Sequence, residues 1–258
     1  MIKNIKFPLT FIILLVFLYL PLSTAAQKIE GFRLRHYTEG GELLWTLSSQ
    51  RMEREEESDR ASLYQFKLTV ETESQTEGLI VEGERMEFSG PERSARLQGS
   101  VKLKSNFPFT AQFDKGSWNP KEMTFTGDNL NASLLAEEKR LTLWGESFFY
   151  RLKEEKLSLK GGFRLAAEEK KERLFQLKGE TLNWEREGQT TCRGNLILKR
   201  EGQTVKAERI NWKTGSDVLR GERVILEDER GRARANSFVY LLEEGRLELK
   251  GDVVWEFS

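Results

Sequence analysis

The stretch that decides the fold is Leu157-Ser158-Leu159-Lys160-Gly161-Gly162-Phe163-Arg164-Leu165. Apolar and polar residues alternate with period two on both sides of a glycine, the pattern of a half-buried strand with a small residue at its middle. The same pattern returns in Leu97-Gln98-Gly99-Ser100-Val101-Lys102-Leu103, in Cys192-Arg193-Gly194-Asn195-Leu196-Ile197-Leu198 and in Leu247-Glu248-Leu249-Lys250-Gly251-Asp252-Val253-Val254-Trp255. Glycines in this setting are Gly83, Gly99, Gly127, Gly145, Gly161, Gly179, Gly194, Gly221 and Gly251. Their gaps are 16, 28, 18, 16, 18, 15, 27 and 30 residues, and Ala111, Ala207 and Ala235 divide the three long ones. A step of one strand plus one turn therefore repeats along most of the chain, too short for leucine-rich, ankyrin or propeller units. The step suits stacked antiparallel strands, or a solenoid whose full turn is two steps.

A glycine inside a strand loses side-chain packing and adds chain entropy, so it marks a sharp bend or a close backbone approach. Small residues in register let every strand bend along one line. Ordinary turn glycines between hairpin strands are the other reading. The expected fold is all-β: an elongated open β-jellyroll, or β-taco, of stacked antiparallel strands, following an N-terminal hydrophobic targeting helix.

Composition narrows the function. The chain has 41 basic and 41 acidic side chains, so it carries no field that would draw nucleic acid. Charged and apolar residues alternate as on the solvent face of an antiparallel sheet. Lys3 and Lys6 precede an apolar run from Phe7 to Leu22, followed by Ser23-Thr24-Ala25-Ala26. This is the pattern of a secretory signal peptide, and the competing reading is an uncleaved membrane anchor, for which the run is short. Either carries the bulk of the chain out of the cytoplasm.

Catalysis is not expected. The single histidine, His36, is expected at an outward strand position, and the single cysteine, Cys192, as a small buried residue. One of each builds neither a metal cluster nor a His-based triad. Asp59, Asp114, Asp128, Asp217, Asp228 and Asp252 share no repeat position. No phosphate loop, dinucleotide fingerprint or nucleophile elbow occurs, and no cofactor is expected.

What remains is an extended apolar face. Counting by twos from each glycine places Val101 and Leu103, Leu143 and Phe149, Leu159 and Phe163, Leu177, Leu196, Leu249 and Val253 on one side, with Ile225, Val239 and Leu241. Such a face makes either a closed core or a trough open along one seam, and periodicity does not separate the two.

Gly31-Phe32-Arg33-Leu34-Arg35-His36-Tyr37-Thr38-Glu39-Gly40-Gly41-Glu42-Leu43-Leu44-Trp45-Thr46-Leu47 resembles the opening of the LptC family, periplasmic components of lipopolysaccharide export. The matching positions are Gly41, Leu43, Trp45 and Leu47. Ala207-Glu208-Arg209-Ile210-Asn211-Trp212 and Val218-Leu219-Arg220-Gly221 are similar to the LptA, or organic-solvent-tolerance, repeat. The resemblance implies residues 1–26 as signal peptide or anchor, 27–165 as an LptC-like β-taco and 166–258 as its LptA-like continuation. It implies that the ten positions from Val101 to Val253 line a groove for lipid A acyl chains of lipopolysaccharide. Arg193, Lys199 and Arg223 would follow the phosphates. It also implies partner β-jellyrolls paired to the edge strands, and an inner-membrane ABC transporter as a further partner.

Overall fold

The computed structural model describes residues 27–54, 60–71, 78–90, 93–105, 109–136, 139–169, 172–200, 202–214, 216–242 and 244–257. The targeting segment falls on residues 1–26, outside the described residues. Every regular element among the described residues is a strand: β1 (Gln27–Tyr37), β2 (Leu43–Arg54), β3 (Ala61–Val70), β4 (Leu79–Phe88), β5 (Ala95–Ser105), β6 (Phe109–Asn119), β7 (Thr124–Ala136), β8 (Lys139–Arg151), β9 (Lys156–Glu169), β10 (Glu172–Gly179), β11 (Thr181–Glu185), β12 (Gln189–Arg200), β13 (Gln203–Lys213), β14 (Val218–Asp228), β15 (Gly231–Leu241), β16 (Arg246–Lys250) and β17 (Val254–Phe257). All belong to one antiparallel sheet.

The path is a meander in which each strand pairs with its predecessor and successor. β10 and β11 both pair with β9 and with β12, so together they form one long rung broken at Glu180. β16 and β17 likewise share β15 and form the last rung, broken at Gly251-Asp252-Val253. The seventeen strands thus make fifteen rungs. Among the described residues, β1 at one end and the β16–β17 rung at the other have neighbours on one side only.

The sheet is folded lengthwise. Odd-numbered rungs carry left-handed backbone at mid-strand: Gly31, Gln65, Gly99-Ser100, Asn129, Gly161-Gly162, Gly194-Asn195, Arg223 and Gly251-Asp252. Even rungs have none there, and register shifts accompany the corner at Glu82/Arg85, Gln98/Val101, Gly145/Ser147 and Arg193/Leu196. An extra residue in one strand of a pair bends that strand. Repeated along the stack, the bends define a fold line and divide every rung into two flanks.

The expected line of nine bend glycines resolves into two kinds. Gly99, Gly161, Gly194 and Gly251 have φ between +74° and +83° and turn the corner. Gly83, Gly127, Gly145, Gly179 and Gly221 have no such backbone; the side chains of Phe66, Phe148, Leu159, Leu196 and Phe238 lie over them. These five supply room rather than curvature.

The inner faces of the two flanks meet. Trp45 lies on β2 before the fold line and Trp118 on β6 beyond it, four rungs away. In a flat sheet they would be roughly 35 Å apart, at about 3.3 Å per residue and 4.8 Å per strand. Their ring centroids are 5.1 Å apart, edge to face. Phe113 and Phe148 make the same crossing at 5.0 Å. One apolar core runs from β2 to β15, and Trp255 of β17 packs against its end. The expected division between residues 165 and 166 falls inside β9, and the ladder runs on from β9 into β10 and β11.

Candidate functional site

The interior between the flanks is the candidate site. Val101, Leu103, Leu159, Phe163, Leu177 and Leu196 are buried there, and Leu143 and Leu249 are half-buried against them. Val253 is 49% exposed on the last rung, where no further strand among the described residues covers it.

Phe149 is a correction. Phe148 points inward and is 5% exposed, while the Phe149 ring lies beside the Arg151 guanidinium at 5.1 Å and is not part of the core. The cause is how the chain turns the corner. In β8 two consecutive residues, Glu146 and Ser147, separate inward Gly145 from inward Phe148, which reverses the parity. In β9 three residues, Lys160 to Gly162, separate Leu159 from Phe163, which restores it. Two-residue corners displace Ile225, Val239 and Leu241 in the same way: Val224, Phe238 and Tyr240 take the core positions.

His36 is also corrected. It pairs with Trp45 across β1 and β2, at an inward position, and its ring stacks on the indole at 5.1 Å. Cys192 is buried as expected, and burial in apolar surroundings raises the pKa of its thiol far above the ordinary value.

Among the described residues, the mouth of the folded sheet is closed at two places. Near one end, Trp45, Trp118, Phe88 and Phe125 form an aromatic cluster near the free ends of the flanks. Near the other, Arg200 at the tip of β12 donates from Nη1 to the Leu242 carbonyl just past β15, with its guanidinium 5.7 Å from the Tyr240 ring. Among the described residues, the indole N–H groups of Trp45 and Trp118, both fully buried, have no acceptor, and the buried Ser49 hydroxyl has no partner.

The outer surface is charged and internally paired. The expected phosphate-following residues divide. Arg223 sits at the fold line, on the side away from the mouth, 2.9 Å from Glu208. Arg193 flanks the same line, and Lys199 lies near the tip of β12. A groove of about 510 Å³ is lined by Asn195, Lys206, Glu208, Arg223, Arg234 and Asn236, among others. A second, of about 490 Å³, contains Arg51, Tyr64 and Arg85. Both of its guanidiniums are already engaged, Arg51 with Glu53 at 3.2 Å and Arg85 with Glu87 at 3.3 Å. Glu154, Glu227 and Asp228 are held below the usual carboxylate range by hydrogen bonds from Arg151, Lys206 and Arg230, all on this outer surface. Among the described residues no three His, Cys, Asp or Glu side chains gather to hold a metal.

No family model matches the chain, and comparison with curated proteins finds no relative.

Proposed function

We propose that this chain is a periplasmic lipopolysaccharide-transport component of the LptC/LptA kind, an open β-jellyroll that holds lipid A acyl chains between its flanks and bridges to similar jellyrolls through its edge strands. It reaches the periplasm by residues 1–26, as a cleaved signal or as a tether beside an inner-membrane ABC transporter. The observation that carries the reading is one apolar column spanning the folded sheet and ending at two edge strands with exposed apolar residues. Ile29 on β1 is 42% exposed, and Val254 and Phe257 on β17 are 56% and 83% exposed. An unpaired apolar edge is a template for another strand.

The transport step is passive. Burying a methylene gains about 0.8 kcal/mol wherever along the column it sits. Sliding therefore meets little change in energy, and direction comes from an external energy source. The column is filled by the protein's own side chains, so chains enter only when the flanks part about the fold line. That filling favours a second reading, a structural envelope scaffold that binds no lipid.

Photo-crosslinking to lipopolysaccharide separates the two. With the probe at Leu159, Phe163 or Leu249, adducts are expected, and none with the probe at outward Lys160. A folded protein that gives no adduct at the three inward sites is the scaffold.

A further inference from the structure

Two buried donors in this interior lack acceptors among the described residues. An indole N–H taken out of water normally finds a partner, and leaving one unpaired is unfavourable. Trp45 and Trp118 are both fully buried, and neither Nε1 has an acceptor among the described residues. Their edge-to-face contact lets one ring aim an edge at the other's π face, a weak interaction, but the geometry does not let both do so at once. On the same inner face of β2, four residues from Trp45 and next to the fold line, the Ser49 hydroxyl is buried and unpartnered too. His36 stacks on Trp45 on the side toward the end strand β1.

The two indoles and His36 stand where the aromatic cluster closes the mouth, at the β1 end of an otherwise apolar column, and Ser49 lies deeper, beside the fold line. Toward the opposite end, Trp255 on β17 is the other aromatic whose buried N–H has no acceptor among the described residues. A pure hydrocarbon occupant would leave all of these donors unsatisfied. An occupant with an apolar chain and one acceptor oxygen at its head satisfies the Trp45 and Trp118 donors, one lone pair to each, while the chain follows the column. We infer that the Trp45–Trp118 contact is a docking point for the carbonyl at the head of an acyl chain, each indole N–H donating to that oxygen once the rings part. This rests on the acyl-chain reading above and adds to it a place where the head group halts. An ester or amide carbonyl of a lipid and the carboxylate of a free fatty acid share the required chemistry.

Competition binding with the full chain tests it, using dodecanoic acid, methyl dodecanoate and dodecane against a fluorescent polyene fatty acid. Trp45→Phe and Trp118→Phe keep an aromatic ring and remove only the donor. Each is expected to weaken the carbonyl-bearing competitors up to about tenfold, the worth of one hydrogen bond, and to leave dodecane unchanged. Loss for the ester alone assigns the site to esterified lipid, and loss for the acid alone to free fatty acid. Trp144→Phe, on the outer face beside Arg164, is expected to change nothing. In the unmodified protein, the indole N–H resonances of Trp45 and Trp118 are expected to move downfield on adding methyl dodecanoate, a readout that does not depend on how the variants fold. If the chains bind but neither substitution nor resonance responds, the indoles are not the docking point, while the acyl-chain reading stands. If no competitor displaces the probe and the probe itself does not bind, the acyl-chain reading falls and this inference with it.

Discussion

Replacing Trp118 by alanine is expected to lower the unfolding free energy by about 3–5 kcal/mol, the range for deleting a fully buried aromatic. Trp118 is fully buried and lies where one flank of the sheet meets the other, against Trp45 and Phe125. Its removal leaves a cavity lined by residues held on ladders, which collapse poorly. The unpaired indole N–H offsets part of the loss, since truncation also removes a buried donor, and this places the effect toward the lower end. Trp144→Ala is the matched comparison. Trp144 lies on the outer face, 5.5 Å from the Arg164 guanidinium, and its loss is expected to cost about 1 kcal/mol or less. Urea unfolding followed by far-UV circular dichroism reads both. Equal effects would mean that the flanks are not packed against each other, and the interior would then stand open without any lipid.

The period-two pattern around recurring glycines was enough to read an all-β chain of stacked antiparallel strands, because half-buried strands write their burial into the sequence directly. Eight of the ten expected interior positions, from Val101 to Leu249, follow from the same counting. Phe149 does not, and the reason is local. The sequence around Gly145 does not distinguish a corner of two outward residues from one of three, and one residue reverses every side chain beyond it. A tandem left-handed pair, as at Gly99-Ser100 or Gly194-Asn195, preserves the parity; a single left-handed residue, as at Asn129 or Arg223, reverses it. Asparagine visits that backbone readily, whereas arginine gives no such signal. The aromatic closure of the mouth was illegible for a different reason. Trp45 and Trp118 are 73 residues apart in sequence and meet only because the flanks are offset by four rungs. Sheet twist sets that offset, and no local pattern encodes it.

The roles of the glycines lead to an ordered set of alanine substitutions. Gly116 faces Gly127 across the β6–β7 ladder. A Cβ at Gly116 would overlap the carbonyl oxygen of Thr126 on the neighbouring strand and come within 2.8 Å of the Phe113 ring. The ring could rotate away, but the carbonyl belongs to the ladder and moves only if β6 and β7 part. Gly116→Ala is therefore expected to cost about 3 kcal/mol, the upper end for overpacking a core. Gly99 presents the opposite case. Its φ of +77° costs an alanine about 1–2 kcal/mol, and the group in the way is the exposed Glu84 side chain, whose carboxylate can swing aside while its Cβ, 2.8 Å from the added carbon, must shift slightly with its strand. At Gly78 a Cβ would meet only ordinary contacts among the described residues, at 3.7 Å and 3.9 Å, with no left-handed backbone to strain. Alanine there is expected to be neutral or to stabilise by about 0.4–1 kcal/mol through the unfolded state. The order of urea midpoints should run Gly78→Ala, then Gly99→Ala, then Gly116→Ala at the lowest. If Gly99→Ala proves the most damaging, the left-handed corners outweigh the close approach of neighbouring strands. The fold line would then be a stiff crease, and flanks joined by a stiff crease would not part to admit a chain.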